Sequence, residues 1–165
     1  MVDATSAWSK RLRAIMLGAQ VPVVVLAAPL AVSGWFGPFV VLAVGVPIAS
    51  LIAFLVIQPM VNTLLEAGRL RLRHALLIGA LACALPTFLL KLGTILRTIL
   101  HIPAEIGLMR SSSFGVLVIE NGMYTRAGWL VGVVAPAAVC ATLGMLGALV
   151  AWRLAFGSLA ADPRP

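Results

Sequence analysis

Residues 39–60 read FVVLAVGVPIASLIAFLVIQPM, twenty-two positions without a charged side chain. As a helix rising 1.5 Å per residue, this run covers about 33 Å, slightly more than the roughly 30 Å hydrocarbon core of a bilayer. In water it would need burial on every side, and a chain of 165 residues has too little other material to provide that. Three further apolar stretches, 14–32, 74–91 and 129–152, are also of spanning length. The expected fold is therefore an all-α integral membrane protein, a bundle of four transmembrane helices forming one membrane domain over residues 1–165. With 62% hydrophobic and 10% charged residues, no water-soluble domain of ordinary size fits beside the spans.

The formal charge of +7 would suggest nucleic acid in a soluble protein. Here the basic residues stand at span ends, where they orient the chain and meet anionic headgroups, so membrane lipid is the expected partner and nucleic acid is not. Lys10, Arg11, Arg13, Arg69, Arg71, Arg73, Arg153 and Arg164 fall on one side of the membrane. Opposite them, the turn at residues 33–38 has no basic residue, and the connection at 92–128, with the end of span 3, carries Lys91, Arg97, Arg110 and Arg126. The positive-inside rule then places both termini in the cytoplasm. Trp8 and Trp152 fall at the inner boundary and Trp35 and Trp129 at the outer one, the depths that amphipathic rings favour. Ten Arg against two Lys, with abundant Ala, Val and Gly, points to a bacterial source and hence its inner membrane. The basic start, apolar run and small residues near Ala31 and Ser33 also resemble a secretory signal peptide, whose cleavage would leave three spans. The length of the run and its Pro22 and Pro29 argue against that.

Pro22 and Pro29 predict a helix bent near its middle and ending near Pro29. The short turn that follows allows only an antiparallel hairpin with span 2. Gln58, Asn62 and Glu66 recur every four residues and continue span 2 as a polar stripe towards the cytoplasm. In residues 92–101, Leu92, Ile95, Leu96, Ile99 and Leu100 share one face, and Thr94, Arg97, Thr98 and His101 the other. This amphipathic helix either lies on the outer leaflet or extends span 3. Pro103 and Glu105 suit the start of a second short helix ending near Arg110, and Ser111-Ser112-Ser113 reads as a break. Phe114 to Thr125, rich in β-formers around Asn121-Gly122, suits a short β-hairpin.

Membrane helices associate through close packing, so stripes of small residues locate their contacts. Ala137, Ala141, Gly144, Ala148, Ala151 and Ala155 form the clearest stripe, on span 4; span 3 offers Ala75, Gly79, Ala82 and Pro86, and span 2 offers Gly45, Ala49 and Ala53. Contacts inside the bundle are the simplest use of such a face, and an oligomer or partner seam is the alternative. Gln20 and Gln58 sit at similar depths when measured from the inner ends of their apolar runs. A hydrogen bond between them, or to Asn62, is therefore expected, forming an intramembrane polar cluster.

Chemistry-bearing residues are few. Cys83 and Cys140 both fall near mid-membrane, where thiols react poorly, so packing is their expected role. His74 and His101 lie at opposite edges, which rules out a shared haem, and Pro103 interrupts the one face where His101 and Glu105 would meet a metal. No cofactor or metal is expected. Five acidic residues, two of them in the tails, provide no paired carboxylates for an enzyme. An ion-coupled carrier usually keeps an ionisable group in mid-span, and none is present.

The apolar, mildly basic outer connection suggests docking on a partner or an anionic lipid through Arg97, His101, Glu105, Arg110, Glu120 and Arg126. The first expectation is a non-catalytic accessory, assembly or regulatory subunit that binds another integral membrane protein or a second copy. The second is a small carrier, channel or flippase for an anionic lipid or solute, which would need Gln20, Gln58, Asn62 and Thr63 to line one watery vestibule. An enzyme acting on a lipid-linked phosphate would instead need Glu105 or Glu120 to converge with the outer arginines.

Overall fold

A computed structural model describes residues 4–32, 37–100, 111–113, 116–120 and 123–157. Four helices are long and apolar enough to cross a membrane, over Trp8–Leu30, Gly37–Glu66, Leu72–Leu96 and Arg126–Phe156, the architecture of a multi-pass membrane protein. Helix α1 covers Ala4–Val32 and α2 Gly37–Ile52, followed by a π-helical turn at Ala53–Ile57 and α3 at Gln58–Glu66. Helix α4 covers Leu72–Leu100. Strands β1 (Ser111–Ser113), β2 (Val116–Glu120) and β3 (Met123–Tyr124) precede α5 (Arg126–Trp129), a second π turn (Leu130–Val134) and α6 (Ala135–Phe156).

One detail of the expected helices changes, and one pair of alternatives is decided in favour of the second. Helix α1 continues through Pro29 to Val32 instead of stopping near the proline. In lipid, ending a helix exposes several backbone groups, whereas continuing it costs one hydrogen bond, so the helix persists. The amphipathic stretch after Lys91 extends span 3, without a break, to Leu100.

Both π turns end two residues before a proline, Pro59 and Pro136. A proline ring collides with the carbonyl four residues back, here that of Leu55 or Gly132, and the wider turn moves that carbonyl away. The Gln58 N–H accordingly bonds the Ala53 carbonyl, and the Ala135 N–H that of Leu130, each five residues back.

The chain divides into two compact units, residues 1–82 with 141–165, and residues 83–140. In the first, α6 packs on two neighbours through glycine. A Cβ placed on Gly18 of α1 would stand 2.5 Å from the Gly147 carbonyl oxygen and 2.7 Å from the Ala151 Cβ. A Cβ on Gly79 of α4 would run into the Gly144 carbonyl oxygen and stand 2.7 Å from the Ala148 Cβ. At 100° per residue, Gly144 with Ala148 and Gly147 with Ala151 face directions about 60° apart, so α6 presents one small-residue edge to each neighbour. Helix α2 has no buried residue, although Gly45 and Ser50 meet Val23 and Gln20 of α1.

The α3–α4 end of this unit closes on an apolar cluster of Leu65, Leu70 and Trp152, with Val61, Leu64, Leu72, Ala75 and Phe156 around it. Trp152 is 3% exposed and its ring lies 4.6 Å from that of Phe156, so it fills a core instead of facing headgroups. Helix α3 ends in a Schellman motif, in which the Gly68 N–H bonds the Leu65 carbonyl and the Arg69 N–H that of Leu64. Gly68 has φ +62°, which only glycine adopts without cost. Replacing Gly68 with alanine should therefore cost about 1–2 kcal/mol, read as a lower midpoint in detergent unfolding.

In the second unit, β1, β2 and β3 form an antiparallel sheet in that order. Ile119 opposes Tyr124 and Glu120 opposes Met123, the register of the expected hairpin, whose turn residues 121 and 122 lie outside those described. Residues 111–113 form a strand, not a break, pairing with β2 from Ser111–Ile119 to Ser113–Val116 across a bulge.

Candidate functional site

The outer residues expected to meet a partner are only partly placed. His101, Glu105 and Arg110 lie outside the described residues, and Arg97 lies on the last turn of α4 with its side chain outside the description. Glu120 ends β2 and Arg126 starts α5, and both are exposed. Between them Thr125 fastens the sheet to the beginning of span 4. Its backbone N–H donates to the Val118 carbonyl at 3.0 Å, and its hydroxyl donates to the Leu117 carbonyl at 2.6 Å and accepts from the Gly128 N–H at 2.9 Å. Thr125 thus caps α5 and holds β2 with one side chain.

Gly128 completes the mount, since a Cβ there would run into the Val118 carbonyl and its backbone. Tyr124 and Trp129 pack with ring centroids 6.1 Å apart. Sequence reasoning passed over Thr125 and Gly128; a threonine three residues before a glycine at the start of an apolar run was the available signal. Changing Thr125 to valine removes the cap and the tie to β2 at similar volume. The expected cost is about 1–2 kcal/mol, and amides in residues 116–124 should exchange hydrogen faster.

Among the polar residues within the spans, Gln20 Nε2 donates to Ser50 Oγ at 3.0 Å, so its partner is Ser50 and not Gln58 or Asn62. Gln20 and Ser50 stand nearly the same number of residues from the α1–α2 turn, as do the touching pair Val23 and Gly45. Gln58 lies eight residues further along, about 12 Å in helical rise. It is buried, Asn62 is half-buried and Glu66 is exposed, so the stripe emerges gradually from the protein. Gln20 Oε1 and His74 Nδ1 are buried without a hydrogen-bond partner among the described residues.

Hydroxyls within the helices are largely spent on their own backbone: Thr63 bonds the Pro59 carbonyl, Thr87 that of Cys83 and Thr94 that of Leu90. Cys83 and Cys140 are free thiols, each half-buried. Among the described residues, no three His, Cys, Asp or Glu side chains gather in a way that could hold a metal ion.

No protein-family model, curated protein or solved structure matches the chain.

Of the small-residue face on span 4, Gly144 and Ala148 lie against Gly79, while Ala137 and Ala141 are half-buried. Gly147, absent from the stripe inferred from spacing, meets Gly18, and a Cβ built on it would stand 2.5 Å from the Gly18 carbonyl oxygen. Its signal was the short spacing to Gly144, which adds a second small edge to the helix.

Proposed function

We propose that this protein is a non-catalytic accessory, assembly or regulatory subunit that docks on another integral membrane protein. The observation that carries the reading is the mount of the sheet. Thr125 and Gly128 tie β2 to the first turn of span 4, so the segment between spans 3 and 4 carries a folded platform on a membrane helix. A built platform with exposed Glu120 and Arg126 suits recognition, because its contacts need little ordering on binding.

Two further features support the reading over transport. The glycine edges of α6 are occupied by α1 and α4. The polar residues needed for a vestibule are spread along the chain, with Gln20 on Ser50 and Thr63 on its own backbone. In this proposal the four spans form one bundle in a bacterial inner membrane, both termini are cytoplasmic and the sheet faces outward. Arg97, His101, Glu105 and Arg110 would join Glu120 and Arg126 at the partner or at anionic lipid.

The test is to solubilise the protein from its native membrane in mild detergent, crosslink, and identify co-purifying chains by mass spectrometry. A stoichiometric membrane partner, lost when residues 111–124 are replaced by a glycine-serine linker, is the expected result. Recovery of the protein alone, with bound lipid, would overturn the reading in favour of lipid or solute handling.

A further inference from the structure

Arg69, Arg71 and Arg73 are exposed, while Leu70 between the first two is 3% exposed. The path of this segment is held at both ends. The Schellman hydrogen bonds at Gly68 and Arg69 fix its start, the Leu70 side chain sits in the cluster with Leu65 and Trp152, and α4 begins at Leu72. With Leu70 turned into the core, Arg69 and Arg71 on either side of it are exposed, and exposed Arg73 follows on the first turn of α4.

None of the three guanidinium groups has an ion-pair partner among the described residues, including Glu66 at the end of α3. Only residues 67–71 separate α3 from α4, and both belong to helices long and apolar enough to span a membrane. The turn therefore joins two spans at one membrane face, where headgroup phosphates are the abundant anions. Arginine suits them through paired N–H donors directed at phosphate oxygens.

We propose that the α3–α4 turn is an anionic-phospholipid site, in which Arg69, Arg71 and Arg73, held outward by the buried Leu70, bind headgroup phosphate. This goes beyond the attraction of scattered basic residues to a charged surface, since it depends on placement. Lys10 and Arg13 are also exposed basic residues, but they stand on α1 away from this pinned turn in the sequence.

The experiment uses the full chain in nanodiscs of phosphatidylcholine with a minority of phosphatidylglycerol, and native mass spectrometry to count the lipids that remain bound. The wild type should retain phosphatidylglycerol in preference. A juxtamembrane basic residue changes anionic-lipid affinity roughly fivefold, so R69Q/R71Q/R73Q should lose retention roughly a hundredfold. By the same constant, charge alone would cost K10Q/R13Q about twenty-five-fold, so a loss within about twofold is the result that placement predicts. Helical content by circular dichroism confirms that each variant is folded. A loss near twenty-five-fold in K10Q/R13Q would overturn the proposal by making charge alone sufficient. Displacement of the lipid by inorganic phosphate would overturn it too, by making the ligand a free anion.

Discussion

Replacing Gly79 with leucine should destabilise the protein by about 3 kcal/mol or more, among the largest losses expected from any single glycine. The Cβ of any residue at this position would run into the Gly144 carbonyl oxygen, which is backbone and cannot rotate away, with the Ala148 Cβ 2.7 Å off. Even alanine must push α4 and α6 apart, and leucine must separate them by most of a side chain. Close approach of backbones is a principal source of attraction between helices in lipid, because burying apolar surface from tails of equal apolarity brings little. Gly93 on the same helix is the control: nothing lies within 4 Å of a Cβ built there. Gly93→Ala should be neutral or stabilising by up to about 1 kcal/mol. Unfolding in mixed detergent micelles separates the two, and equal effects at Gly79 and Gly93 would exclude the seam.

Trp152→Ala should cost about 3–5 kcal/mol. The indole is 3% exposed, packs at a tilt against Phe156 and belongs to the cluster that pins Leu70. Its removal leaves a cavity bounded by α3, the α3–α4 turn and α6, and frees the turn that carries Arg69 and Arg71. Trp152→Phe retains part of the volume and should lose about half as much. A loss below about 1 kcal/mol for the alanine variant would mean that this end of the protein is not a core. The Trp152 result therefore bears on the lipid site as well, since binding there depends on the same pinned turn.

The spans were legible because an uncharged run of twenty-two residues has few alternatives. The β2–β3 pairing was legible from β-formers flanking Asn121-Gly122, whereas Ser111–Ser113 was not, since its strand exists only through pairing with β2. The partner of Gln20 was misjudged by levelling the inner ends of spans 1 and 2. Helix α1 begins at Ala4 and the second span continues to Glu66, so those ends are no measure of depth. Counting outward from the hairpin turn leads to Ser50 instead. Trp152 looked like an interfacial ring because its position in the span matches that depth. Its burial depends on Leu65 and Leu70 folding over it, a tertiary fact that position along one helix does not contain.

The most direct test of the central claim, that α6 gathers its neighbours within a single chain, is disulfide trapping between Gly18→Cys and Ala151→Cys in a C83A/C140A background. The Cβ positions are 2.7 Å apart as built, and the Gly18 Cβ stands 2.5 Å from the Gly147 carbonyl oxygen, so α1 and α6 must part by about 1 Å, which also brings the two Cβ atoms to disulfide geometry. Oxidation in native membranes should yield a crosslinked monomer whose mobility reverts on reduction. A covalent dimer in place of that monomer would contradict the account and make the glycine edge of α6 a seam between chains.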